Sequence, residues 1–359
     1  MSRLLRLTTG IAPSTIALTY GLGAVFGVAA QWAGMPLGML LGAMIGIAVS
    51  SRLGLRPWGR DLAVPQKWRY VLVPVVGVAI GASFPEDFFE QAQHWWLSMA
   101  ALLVFIPLAQ WISYLVFRRL GGLTPATAYF AAMPGGFIES LEMGEKSGAD
   151  MPMLIMLQFL RIAICILLIP IVFSLIEGHA VGASTGMVLG TAQGALTAWD
   201  VGLLVALGVS GWAVASRLKF PAAVLSGPLL FSGLAHALGW THAAPPIWTI
   251  LVTQWVLGTS LGVRLAGFTR GQFGLALGLS ALSVAMMLLA AVGFALVLSG
   301  PVGEPVSAVI LAFAPGGVSE MSLIALSLHL SAVFVTMHHL VRIILAVVTA
   351  RLGQRLAGL

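Results

Sequence analysis

"MPGGFIESLEMGEKSGAD" occupies Met133–Asp150 and "APGGVSEMSLIALSLHLS" occupies Ala314–Ser331. In each, a Pro-Gly-Gly triplet is followed by a glutamate: Pro134, Gly135, Gly136 with Glu139, and Pro315, Gly316, Gly317 with Glu320. Proline lacks an N–H and glycine leaves the backbone unrestrained, so a helix breaks at each triplet. Both triplets lie in long apolar stretches, 124–143 and 305–328. Broken backbone at membrane depth is tolerated only where protein or a wet cavity surrounds it. A helix restarting after Gly136 or Gly317 presents unpaired N–H groups and the positive end of its dipole, a terminus suited to anions.

The composition makes membrane depth the right frame. The 359 residues are 59% hydrophobic and only 8% charged, with a mean hydropathy of +1.00. A soluble domain carries roughly a quarter charged residues, so lipid must be the solvent over most of this surface. A membrane helix needs ~20 mostly apolar residues. The expected spans are 11–30, 35–51, 69–84, 96–117 and 153–176, then 197–215, 221–239, 247–263, 273–299 and 332–350. Continuous apolar runs rather than strict alternation select helices over a barrel. The fold class expected is therefore an all-α polytopic membrane protein of about ten transmembrane helices, with an N-terminal run read as a span and not as a cleaved signal. The single Cys165 excludes an internal disulfide and a cysteine cluster. The net charge of +6 fits basic membrane-facing loops rather than nucleic acid.

Charge orients these spans. If the two broken stretches are re-entrant hairpins and the N-terminus is inside, every Lys and Arg except Arg161 and Arg342 falls in a cytoplasmic segment. Glu86, Asp87, Glu90, Glu177, Asp200 and Glu304 then lie outside. If both stretches cross instead, Lys146, Arg217, Lys219, Arg264 and Arg270 are left outside, against the rule. Any odd number of crossings per half satisfies the charges, so hairpins and broken spanning helices both stay open. The expected location is a bacterial inner (cytoplasmic) membrane, multi-pass, with both termini cytoplasmic.

The chain also repeats itself. At an offset of 181, Gly77, Gly81, Ala131, Met156, Arg161 and Ile162 meet identical residues at Gly258, Gly262, Ala312, Met337, Arg342 and Ile343, along with the triplets and their glutamates. Nearer the start of each half, Pro36 and Gly42 match Pro221 and Gly227 at an offset of 185. We therefore divide the chain into a first repeat, 1–176, a Gly- and Ala-rich linker, 177–196, and a second repeat, 197–359. Five crossings turn the second copy over, giving the inverted-topology repeat common among secondary transporters. "GLGAVFG" (Gly21–Gly27) and "GVAIG" (Gly77–Gly81) are expected to let helices approach closely.

The paired triplets, each followed about twenty residues on by an arginine-bearing helix ("QFLRIAI" and "HHLVRII"), resemble the AbrB duplication of the AbrB family of bacterial membrane proteins. That family shares its name, but not a fold, with a small soluble transcription factor, and it also carries the older label ammonia monooxygenase. The resemblance implies a membrane protein, sometimes described as a regulator of gene expression. At the level of architecture alone the plan also resembles citrate-type carriers with two glycine-rich re-entrant loops.

The chemistry rests on few residues. Glu139 and Glu320 either cap their own helices or serve as proton or sodium sites. Arg161 and Arg342 lie deep in their helices and each wants an anionic or carbonyl partner: a within-repeat ion pair with Glu139 or Glu320, or a solute carboxylate. Gln158 and His339 precede the arginines by three residues and share their helix face; His339 either is a buried hydrogen-bonded imidazole or takes part in proton coupling. Asp150 either caps the next helix or gates the inner mouth. Two Arg balanced by two Glu favour a small mono- or dicarboxylate or a zwitterion over a polyanion.

The function expected is a secondary transporter, of rocking or elevator type, for a small organic anion or zwitterion coupled to H+ or Na+. The competing expectation is a membrane-embedded regulator that acts indirectly. An enzyme is not expected, nor a metal or other cofactor, since the seven histidines show no ligand spacing. The expected partners are a small-molecule solute and the lipid bilayer; no direct contact with nucleic acid is expected, and a homo-oligomer is compatible with the sequence.

Overall fold

A computed structural model describes residues 10–56, 59–84, 88–177, 196–266 and 270–357. Apart from its two end residues, the linker lies outside the described residues, as do Arg3, Arg6, Glu86, Asp87 and His179. The described residues are helical and contain no strand. The first repeat supplies α1 (Pro13–Trp32), α2 (Gly38–Arg52), α3 (Arg69–Gly81), α4 (Phe88–His94), α5 (Trp96–Leu115), α6 (Pro125–Ala131), α7 (Phe137–Lys146) and α8 (Met151–Glu177). The second supplies α9 (Ala198–Arg217), α10 (Ala223–Ala237), α11 (Ile247–Ala266), α12 (Arg270–Val302), α13 (Val306–Phe313), α14 (Val318–Ser327) and α15 (Ala332–Ala357).

Each of the ten expected spans coincides with one of these helices. Six are long and apolar enough to cross a membrane: α1, α5 with its continuation to Leu120, α8, α9, α12 and α15. The chain is a helical membrane protein. The other four are shorter or more polar. The 15 residues of α2 and of α10 rise about 23 Å, short of the ~30 Å hydrocarbon core. The 13 residues of α3 fall further short. α11 has 20 residues but carries Thr253, Gln254, Thr259 and Ser260. A count of ten crossings is therefore more than the helix lengths establish.

Helix boundaries repeat with the sequence. α9 and α10 begin 185 positions after α1 and α2, while α13, α14 and α15 begin 181 positions after α6, α7 and α8. Strain repeats too. Leu37 before α2 and Ala222 before α10, also 185 apart, both sit in the left-handed region at φ 46° and 49°. A non-glycine residue there costs about 1–2 kcal/mol, so the packing around it must hold the backbone in place.

The chain forms two compact units, and these cut across the repeats. The first comprises the described residues within Met1–Phe84, Leu167–Phe268 and Leu326–His329; the second comprises those within Pro85–Ile166, Thr269–Ala325 and Leu330–Leu359.

In the first unit, α1 packs on α2 and α9 on α10, while α3 of the first repeat packs on α10 of the second and α11 of the second packs on α2 of the first. The expected glycine contacts carry this exchange. A Cβ on Gly77 would lie 2.5 Å from the Leu225 carbonyl oxygen, and one on Gly81 2.7 Å from that of Leu229. Their counterparts Gly258 and Gly262 face the carbonyls of Leu40 and Met44. Leu40 and Met44 are themselves 185 positions before Leu225 and Leu229. Gly27 likewise brings α1 onto Met39. Tyr20 stacks on Trp68 and meets Trp255 edge-on, and the Trp255 indole donates to the Tyr20 carbonyl.

In the second unit, α5, α12, α13 and α15 form the core. Phe105, Phe294 and Phe313 meet there with centroids 5.0 to 5.7 Å apart, within the range where aromatic pairs add stability beyond the area they bury. Both Pro-Gly-Gly breaks, α6–α7 and α13–α14, belong to this unit together with Arg161 and Arg342.

Candidate functional site

The first helix stops at Ala131 and resumes at Phe137; the second stops at Phe313 and resumes at Val318. The residues of each gap are buried, apart from a partly exposed Gly317. A broken helix leaves carbonyls of its last turn without intrahelical partners, and buried carbonyls must be paired. The helix that follows each break supplies the donors. Gln158 Nε2 donates to the carbonyls of Phe130 (2.8 Å) and Met133 (3.3 Å), and Arg161 Nη1 donates to Met133. His339 Nε2 bonds the carbonyl of Leu311 at 2.9 Å, and Arg342 Nη1 donates to Ala314. Phe130 and Leu311, and Met133 and Ala314, are again 181 apart. The two sites are built to one plan.

Arg161 and Arg342 are only 5% and 2% exposed, and neither pairs with a carboxylate; the ion pair found among the described residues is Arg56 with Asp61. The expected Glu139–Arg161 and Glu320–Arg342 pairs are thus not formed. The reason is positional. Each glutamate is the third residue of its restarted helix, and its carboxylate turns back over its own N-cap, Gly136 or Gly317. There the helix dipole stabilises it, and Ser319 Oγ also donates to Glu320 at 2.9 Å. The arginines reach the broken ends instead.

The two breaks turn differently. Gly136 takes φ +69°, where a Cβ would strain the backbone. Gly317 does not take a positive φ, and the second break closes through a bond from the Gly316 N–H to the Ala314 carbonyl at 2.9 Å. Gly135 lies against α15: a Cβ there would sit 3.5 Å from Ile343 Cα and 3.7 Å from the Arg342 carbonyl. The first break thus leans on the helix that carries the second arginine.

Arg342 has more partners than Arg161. Its Nη2 donates to the Gly316 carbonyl at 2.7 Å and to His339 Nδ1 at 3.1 Å. His339 Nδ1 therefore accepts, so its proton sits on Nε2, which donates to Leu311. That tautomer uses both ring nitrogens of a neutral imidazole. Adjacent His338 faces elsewhere, toward the Phe334 carbonyl and Ser98 Oγ. Asp150 caps α8: its Oδ1 accepts from the Met153 N–H at 3.2 Å. Its counterpart Ser331 caps α15 through the Phe334 N–H, also at 3.2 Å. The substitution of Asp by Ser between the repeats therefore keeps the capping bond and changes the charge.

One residue of this unit was not singled out as a site in the sequence. Glu304, in the turn before α13, is half-buried and takes a hydrogen bond from Trp95. Burial pushes its carboxyl up to about 7, against the lowering effect of that bond. Nothing in the local sequence separates Glu304 from an ordinary loop acid. Among the described residues no group of three or more His, Cys, Asp or Glu lies together to hold a metal ion. The first unit holds an apolar cavity of about 400 Å³ lined by residues such as Val71, Pro74, Val205 and Trp212, with no charged side chain.

Over residues 52–357 the sequence matches the family model described as "Transition state regulatory protein AbrB". Over 342 residues it is 26% identical to "Uncharacterized protein YhjN" of Bacillus subtilis (strain 168), covering 88% of this chain and 85% of that one.

Proposed function

The chain belongs to the AbrB family, and from that premise we propose that it is a secondary transporter of a small organic anion or zwitterion. One observation carries the reading: two helix breaks within one compact unit, each clasped by a buried arginine from the following helix, with no carboxylate paired to either arginine. Buried guanidinium groups without counter-charge are costly, and intramembrane charges of this kind usually serve transport or recognition. Paired breaks from two related halves are the usual construction of a carrier's binding site. In this reading the repeats are inverted, the broken segments enter as hairpins from opposite faces, and the unit that holds both breaks travels as a body in an elevator-type cycle. H+ or Na+ supplies the driving force, in an inner membrane with cytoplasmic termini.

The test is counterflow of labelled small organic acids and amino acids into proteoliposomes containing the purified chain. Solute accumulation that needs the protein supports transport; none across the series, under imposed proton and sodium gradients, sinks it. The description attached to the matching family favours a second reading, an indirect regulator of gene expression. Deletion that alters transcription while proteoliposomes remain inert selects that reading.

A further inference from the structure

The two arginines have the same place in their repeats but present different faces. In Arg342, Nη1 is held by Ala314 and Nη2 by Gly316 and His339. In Arg161, Nη1 is held by Met133, Nη2 makes no hydrogen bond, and Nε is buried without a partner. Nε–H and Nη2–H point the same way from one edge of the guanidinium. That edge is the fork that meets a carboxylate through two parallel bonds. Both of its nitrogens are unpaired in Arg161; in Arg342 Nε is likewise buried without a partner, but Nη2 is bonded.

We infer that Arg161 is the residue that receives a carboxylate of the solute, through its Nε–Nη2 edge, and that Arg342 is a positioning residue that holds the second break in shape. The inference rests on the transporter reading and narrows its solute to a carboxylate-bearing one. The surroundings agree. Arg161 is nine-tenths buried, so a bound carboxylate would lose little of its attraction to water. Among the described residues no carboxylate pairs with Arg161. A bidentate contact of this kind favours a planar carboxylate, with one oxygen for each N–H, over chloride, which must share a single acceptor between them, and over a solute without charge.

The test uses the full chain in detergent and follows thermal unfolding with acetate, lactate, succinate, alanine, inorganic phosphate and chloride at rising concentrations. At least one carboxylate is expected to raise the midpoint of the wild-type protein, with chloride inert. Arg161→Gln should weaken that response roughly tenfold to a hundredfold, the cost of losing bonds to a charged group. Arg161→Lys keeps the charge and a donor for Met133 but lacks the fork, and it should lose the response while remaining as stable as wild type without solute. Arg342→Lys should instead lower stability without solute and leave a carboxylate response of wild-type affinity. If both Arg161 variants respond as wild type does, or if the response fails with Arg342→Lys and survives Arg161→Lys, the assignment is wrong although transport stands. If no carboxylate stabilises the wild type, the fork has no ligand and the inference fails; proteoliposome flux of a non-carboxylate solute would show that transport survives it.

Discussion

The two breaks solve one problem with different means, and the difference lies in how far each arginine is committed to the backbone. At the second break the donors are Arg342 and His339, which bond each other as well as the carbonyls of Leu311, Ala314 and Gly316. At the first break Gln158 takes over most of the carbonyl pairing, from Phe130 to Met133, and the backbone turns through a left-handed glycine. Gln158 thereby relieves Arg161 of structural work that Arg342 cannot leave. The two matched sites thus differ in how much of the guanidinium is paired, more in Arg342 and less in Arg161.

The comparison is broken most directly at Arg342. Arg342→Gln strands the Ala314 and Gly316 carbonyls in a buried gap and should cost about 3 kcal/mol, seen as a large fall in the unfolding midpoint. Arg161→Gln, with the Met133 carbonyl still served by Gln158, should cost only about 1 kcal/mol. Equal losses would erase the distinction. Next comes the glycine that turns only one of the breaks. Gly136→Ala meets φ +69° and a Cβ only 3.0 Å from Val347 Cγ2, and should destabilise by about 1–2 kcal/mol. Gly317→Ala meets no such φ, only the carboxylate tip of Glu320, which can turn aside, so its midpoint should shift less.

Asp150→Ala and Ser331→Ala sharpen the comparison from the other side. Both remove one capping bond, and each should cost about 1 kcal/mol; a much larger effect at Asp150 would point to a role beyond the cap. A separate expected effect is one of pH. Glu304 keeps a proton in the folded chain up to about 7, whereas its ordinary value is 4.5. Between those values the folded chain binds more protons than the unfolded chain, so stability falls as pH rises through that window. Glu304→Gln should flatten this slope in unfolding curves, and an unchanged slope would remove Glu304 as its source.

Much of this was legible in the sequence because helices in lipid announce themselves by length and apolarity. The ten expected spans found ten helices, Pro134 and Pro315 marked the breaks, and the identities at offsets 181 and 185 foretold matched helix starts and glycine contacts. The partners of the arginines were not legible. Glu139 stands 22 positions before Arg161, a spacing that permits an ion pair, but the glutamate's place in the first turn commits it to its own helix. The competing acceptors were backbone carbonyls, which no residue letter records. The helix lengths show the same limit: α2, α3 and α10 are shorter than the hydrocarbon core, and pattern alone had extended them. Nor does any sequence signal reveal that the compact units take segments from both repeats.

That interleaving reaches beyond the present molecule. The groove that Gly77 and Gly81 fit lies on a helix of the second repeat, and the groove that Gly258 and Gly262 fit lies on a helix of the first. Either half expressed by itself would leave its own glycine stripe and its own groove uncovered, so the two halves should pack stably only when supplied together.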